Sequence, residues 1–332
     1  MGKFVKSLLF LFILVGLLVA WVMAYFNQQV YDPLNISSDT VFRVDNGHSA
    51  KGILNRLKAK GILKENLGLK IRLKIEPELA QIKVGTYLLT PSMTGLDLLQ
   101  LLVSGKEKQF SVSLVEGLRL RDWLLTLKSH PNLTSNANLQ GSLRTLGESL
   151  PGGSLEGWLL PDTYHFVDQT DIFEVILRAN ESMVSYLQSA WENRAIDLPY
   201  DTPYQGLIMA SIIEKETGVA EERPRIAGVF VNRLRLNMRL QTDPTVIYGM
   251  GDNFDGNIRR KDLRTPTPYN TYVIKGLPPT PIAMPSKLAI DAAFHPIATE
   301  ELYFVSKGDG SHKFSATLQE HNTAVRKYQL KK

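Results

Sequence analysis

The chain has 332 residues, 44% of them hydrophobic, with no cysteine and a formal net charge of +5. That length can build an ordinary hydrophobic core, and the missing cysteines exclude disulfides, cysteine metal sites and lipid attachment through sulfur. The basic excess is mild, and its densest run is only Arg259-Arg260-Lys261, so no long cationic stripe argues for nucleic acid.

In chain order, Leu8–Tyr25 is an uncharged run of 18 residues, about the minimum for a helix to cross a hydrocarbon layer of ~30 Å. Lys3 and Lys6 precede it and the next cation is Arg43. The positive-inside rule therefore puts the N-terminus in the cytoplasm and the remaining chain outside. A cleaved signal peptide ending near Val22-Met23-Ala24 is the alternative. Bulky Trp21, Tyr25 and Phe26 crowd that site, so an uncleaved cytoplasmic stub and anchor are expected over 1–26, followed by a polar tether over 27–39.

Residues 40–108 read as a small α/β module. A strand at Val41–Val44 precedes a helix at Ala50–Lys60, with Ile53, Leu54 and Leu57 on one face. A second helix at Leu67–Ile75, a strand at Gly85–Thr90 and a short helix at Leu96–Val103 follow. Strand, two helices, strand is the layout of a LysM-like unit, a type that binds amino-sugar polymers; generic small α/β packing is the alternative.

Residues 109–332 read as a larger mixed α/β domain, making the whole chain α+β. A strand at Gln109–Val115 leads to a helix at Leu120–Leu127. Residues 132–153 suit either a loop or a short helical insert. Aromatic residues in Leu155–Tyr164, notably Trp158 and Tyr164, either anchor a loop or stack on a sugar. Helices are expected over Asp171–Arg194 and Pro224–Leu236. The stretches Leu240–Gly249, Thr265–Tyr272 and Gly276–Ile282 read as loops rich in hydroxyls, amides and prolines, of the kind that line ligand sites. Strands at Glu301–Ser306 and His312–Ser315 should pair across Lys307–Gly310, ahead of a helix at Leu318–Gln329.

The candidate chemistry lies on the helix containing Gln205–Thr217. At ~100° per residue, Ile208, Met209, Ile212 and Ile213 share a face and Glu216 falls near its centre, while Glu214 points the other way. Burial raises a carboxyl pKa, and a carboxylic acid that stays protonated near neutral pH can serve as a general acid. A salt-bridged structural carboxylate is the plainer reading of the same geometry. No metal-ligand spacing links the six histidines, and no phosphate loop or Gly-x-Ser-x-Gly elbow is present, so no metal and no cofactor are expected.

The blocks 156–164 (EGWLLPDTY), 210–217 (ASIIEKET), 230–234 (FVNRL), 240–249 (LQTDPTVIYG), 268–272 (PYNTY) and 276–279 (GLPP), in this order, resemble the endolytic murein transglycosylase family, also called YceG-like. The resemblance covers nearly the whole chain and is weak only around 130–153. It implies Glu216 as the catalytic residue of a lytic transglycosylase (EC 4.2.2 type). Such an enzyme cleaves MurNAc–GlcNAc β-1,4 bonds within peptidoglycan strands and leaves 1,6-anhydro-MurNAc ends. Gln241, Asp243, Tyr248, Asn270, Tyr272 and Glu214 are candidate substrate contacts, with Glu214 favoured for a supporting role, while His312 and Asn322, near the end of the matched region, either line the groove or cap local turns. It also implies a single-pass inner-membrane protein with a periplasmic catalytic domain. Its roles would lie in cell-wall biogenesis and cell shape, beside peptidoglycan synthases or division and elongation proteins, with termination of nascent strands as the expected task. A peptidoglycan-binding scaffold and a water-using muramidase, with Asp243 as its second carboxylate, are the alternatives.

Overall fold

The computed structural model describes residues 2–330, which form two compact units meeting at residues 110 and 111. The first opens with helix α1 (Gly2–Tyr31), whose segment Phe4–Tyr31 is long and apolar enough to cross a membrane. The anticipated tether is different. The helix continues to Tyr31, and Val30 and Leu34 are buried in the core of the unit. The chain is then fixed by backbone bonds from Leu34 to Met93 and from Asn35 to Ile62. Two apolar side chains in an otherwise polar segment are enough to dock it, since each buried one contributes about 1.5–3 kcal/mol.

Strand β1 (Thr40–Val44) pairs antiparallel with β2 (Gly85–Leu89), setting Phe42 opposite Tyr87. Between them in sequence run α2 (Ala50–Ala59) and α3 (Leu67–Ile75). Alternation turns Phe42 and Val44 inward, and Ile53, Leu54 and Leu57 meet them from α2. Helix α4 (Gly95–Ser104) starts at a capping box between Thr94 and Asp97 and stops at Gly105, which takes the left-handed conformation. Its Leu98, Leu99 and Leu102 complete the core.

The second unit begins within β3 (Phe110–Leu114), followed by α5 (Leu120–Ser129), the short β4 (Leu133–Thr134) and α6 (Leu139–Glu148). The uncertain 132–153 stretch thus contains a helical insert, with Leu139 and Leu143 buried. Strand β5 (Asp162–Phe166) pairs with β3, and β6 (Thr170–Asp171) runs parallel to β4. Trp158 and Tyr164 are buried. The Trp158 ring stacks on Tyr204, and the Tyr164 hydroxyl donates to the Leu160 carbonyl at 2.6 Å. Both anchor the fold.

Helices α7 (Ile172–Glu192), α8 (Pro203–Glu216) and α9 (Arg223–Arg235) follow. Residues 240–249, expected as loop, hold a short helix α10 (Asp243–Met250) with proline in its first turn. Another short helix, α11 (Lys287–Phe294), is N-capped by Ser286. Strands β7 (Tyr303–Ser306) and β8 (His312–Ser315) form the closing hairpin, and α12 (Leu318–Tyr328) ends the described chain.

Helix α8 is the centre of this unit. Every residue from Gly206 to Ile213 is buried, so the expected apolar stripe extends round the whole helix. It packs against α7, α9, α10 and α11. At its crossing with α11, a Cβ on Gly206 would lie 2.3 Å from the Phe294 ring; only glycine lets the helices approach this closely. The tight packing fixes where the last residue of α8 points.

Candidate active site

Glu216 is that last helical residue, because Thr217 leaves the helix in an extended conformation. The negative end of the helix dipole therefore faces its carboxyl and opposes ionisation. Glu216 opens onto a cleft of about 530 Å³ whose walls include Arg233, Gln241, Asp243, Tyr272, His312 and Asn322. Burial is the largest influence and pushes its pKa up to about 7. The Thr242 hydroxyl opposes this, the nearby Asp243 charge reinforces it, and His312 and Arg233 oppose it. A group half titrated near neutral pH supplies both an acid and its conjugate base.

The Thr242 hydroxyl donates to Glu216 Oε1, and its own position is over-determined. The Thr242 N–H donates to Thr271 Oγ1 at 3.0 Å. The Thr245 hydroxyl donates to the Thr242 carbonyl at 2.8 Å, and Thr245 and Thr271 share a hydroxyl contact at 2.8 Å. All three threonines are buried, and a fully satisfied buried network of this kind is rigid. Gln241, just before it, is held at φ +51°, a left-handed conformation unusual for a residue other than glycine. The strain turns the chain so that Gln241 faces the cleft while Thr242 reaches the carboxyl.

Asp243 begins α10, and its Oδ1 accepts from the Tyr272 hydroxyl at 2.7 Å. Burial, followed by this bond, raises the phenol pKa, so Tyr272 stays a neutral donor. Arg233 is buried, and its Nε and Nη1 donate to the carbonyls of Leu302 and Leu240 at 2.6 and 2.7 Å. It adds a fixed positive charge to the cleft wall. His312 is clamped by Glu222. The imidazole Nδ1 lies 2.7 Å from Oε2, and the His312 N–H donates to Oε1 at 2.9 Å. The clamp fixes the ring orientation. His321, stacked on Tyr303, is driven toward its neutral form by burial and then by Arg233.

Three of the nine residues singled out from sequence, Tyr248, Asn270 and Glu214, are not among those lining this cleft. Tyr248 packs on Tyr269 under the Arg119 guanidinium, and its hydroxyl donates to Glu156. Asn270 is a buried loop staple. It donates to the carbonyls of Asp262 and Thr265 and accepts from the Tyr272 N–H. Glu214 forms an enclosed ion pair with Arg223 at 3.2 Å and caps α11 through the Ser286 N–H. Polar residues in a turn-rich loop bind ligands or tie the loop together with the same sequence signature; only their partners tell which. Thr242, Thr245, Thr271, Arg233 and Glu222 were not anticipated. For Thr242 the usable signal was its position between two chosen residues.

The fold and cleft define a mixed α/β protein with a desolvated carboxyl, Glu216, facing a polar cleft. The chain belongs to the YceG-like family, whose sequence profile matches residues 42–327. It is 30% identical over 327 residues to the endolytic murein transglycosylase of Bacillus subtilis, covering 91% of this chain and 89% of that protein. An endolytic murein transglycosylase of Streptococcus pneumoniae is 28% identical over 319 residues, and the alignment covers 85% of this chain and 57% of that longer protein. The crystal structure of a YceG-like protein from Listeria monocytogenes superposes with a TM-score of 0.55 at 28% identity, covering 86% of this chain and 99% of that one.

Proposed function

We propose that this chain cleaves MurNAc–GlcNAc β-1,4 bonds inside peptidoglycan strands and leaves 1,6-anhydro-MurNAc ends. Its relatives make it a lytic transglycosylase, a lyase acting on polysaccharide. The observation that carries the catalytic assignment is Glu216, which ends a buried helix and faces the cleft, with its pKa raised to about 7 by burial. Its proton passes to the glycosidic oxygen as the bond from C1 to that oxygen breaks. The MurNAc C6 oxygen then bonds to C1, and its proton returns to the Glu216 carboxylate. No water is consumed and the enzyme ends as it began.

The transition state carries positive charge at the sugar ring. The Glu216 carboxylate and Asp243 supply the opposing negative charge, while Gln241 and Tyr272 offer hydrogen bonds to the glycan. Asp243 in the same cleft also favours a second reading, a muramidase in which it activates water. Mass spectrometry of strands digested by the full chain, with Glu216→Gln in parallel, separates the readings. Anhydro ends absent from the mutant digest support the proposal. Reducing ends support the muramidase, and uncut strands from a folded protein support a binding scaffold.

In this reading α1 crosses the inner membrane once, with Lys3 and Lys6 on the cytoplasmic side, and the catalytic unit lies in the periplasm. The β-α-α-β order and antiparallel pairing of residues 40–89 support a LysM-like glycan-binding role for the first unit. Work beside peptidoglycan synthases, ending nascent strands, follows from the family resemblance alone.

A further inference from the structure

No linker separates the apolar helix from the first unit. Gly68 of α3 presses so closely on α1 that a Cβ there would lie 2.4 Å from the Phe26 carbonyl oxygen. The Gly68 N–H also donates to Gln29 Oε1 at 2.9 Å. Phe26 lies within the last two turns of the apolar segment Phe4–Tyr31, so α3 packs against the C-terminal part of that segment.

A groove of about 380 Å³ runs between the two helices, lined by Met23, Phe26 and Val30 of α1 and by Ile71, Arg72 and Ile75 of α3. Ile75 is 67% exposed and Leu67 is 49% exposed. Helix α3 also carries Lys70, Arg72 and Lys74 and no acidic residue. Glu76, just beyond it, is engaged by Arg72, and Glu78 follows in the next turn. Helix α3 thus carries exposed isoleucine and leucine together with basic side chains whose apolar stems can lie along a membrane surface while their charges reach the headgroups.

We propose that α3 is a membrane-interface foot that holds an anionic phospholipid. An acyl chain lies in the groove beside Met23 and Ile75 with its phosphate at Arg72, the cation that lines the groove, while Lys70 and Lys74 on the other side of α3 add positive charge toward the surrounding headgroups. The inference rests on the reading of α1 as a membrane span. Groove and span are continuous, so the bilayer itself brings the occupant to Met23 and Phe26, and the charge of α3 selects the headgroup. The first unit is thereby seated on the membrane rather than swinging above it.

The chain contains no cysteine, so single cysteines can be labelled uniquely. The full chain with Ile75→Cys, carrying an environment-sensitive fluorophore, is placed in nanodiscs of phosphatidylcholine with or without phosphatidylglycerol. Nitroxide lipids labelled near the headgroup act as quenchers, and Leu14→Cys serves as the reporter of the span. The expected result is quenching at Ile75 that becomes stronger by about twofold or more with phosphatidylglycerol. Lys70→Glu with Lys74→Glu should abolish that gain. Quenching at Leu14 by deep nitroxides with none at Ile75 overturns the foot while leaving the span intact. Quenching at Ile75 that ignores phosphatidylglycerol overturns the headgroup assignment, and no quenching at either position overturns the span together with the foot.

Discussion

Replacing Glu216 with Gln should abolish turnover and, at the same time, stabilise the protein progressively as pH rises. The folded-state pKa is near 7 against 4.5 for the ordinary carboxyl, a difference worth about 3 kcal/mol. The sign follows from proton linkage. A raised folded pKa means that the native state holds the proton more tightly than the unfolded chain does. That contribution is fully present below about pH 4.5, declines as pH rises, and is gone above about pH 7. Glutamine mimics the neutral acid at every pH and keeps an oxygen to accept from Thr242. The advantage of Glu216→Gln over the wild type should therefore grow by up to about 3 kcal/mol between pH 4.5 and pH 8.5. For a unit of this size that is roughly 6–12 °C in melting temperature. Thermal unfolding of the full chain in detergent, followed by tryptophan fluorescence at both pH values, reads it directly. Other titrating groups, Glu156 included, cancel in the difference. An offset that is the same at both pH values would refute the desolvation argument.

The remaining predictions concern the surroundings of that carboxyl and the scaffold behind it. Wild-type turnover should be level below pH 7 and fall above it; Thr242→Val, which removes a bond favouring the carboxylate, should move that alkaline fall upward by about one to two pH units. Asp243→Asn removes a charge that disfavours the carboxylate and should move the fall the other way, so shifts of the same sign in both pH–rate profiles would contradict the assignment. Glu156 is also buried and raised to about 7, chiefly by desolvation, so Glu156→Gln should raise the melting temperature at pH 8.5 and not at pH 4.5, with turnover retained. Asn270→Ala breaks three bonds made by a buried side chain and should cost about 2–4 kcal/mol in thermal unfolding; a cost under about 0.5 kcal/mol would mean that the loop is held by other contacts.

Glu216 was legible in the sequence because an enclosed helix leaves few places for a charge, and the helical repeat put this carboxyl among isoleucines. The same reasoning favours a supporting role for Glu214 but does not name its partner, because Arg223 lies nine residues on, in another helix. The clamp between Glu222 and His312 spans 90 residues, a pairing that no local pattern encodes. Helix α10 had a readable start, an Asp-Pro pair at 243 and 244, but its dense hydroxyls and amides suggested loop. The docking of α1 on the first unit turned on Val30 and Leu34, two apolar residues that look incidental in a polar stretch.

The central claim is that bond cleavage consumes no water, and digestion of glycan strands in oxygen-18 water tests it most directly. Unlabelled 1,6-anhydro-MurNAc ends, absent when Glu216 is glutamine, are the predicted result. Reducing MurNAc ends carrying oxygen-18 would contradict the account and make the enzyme a hydrolase.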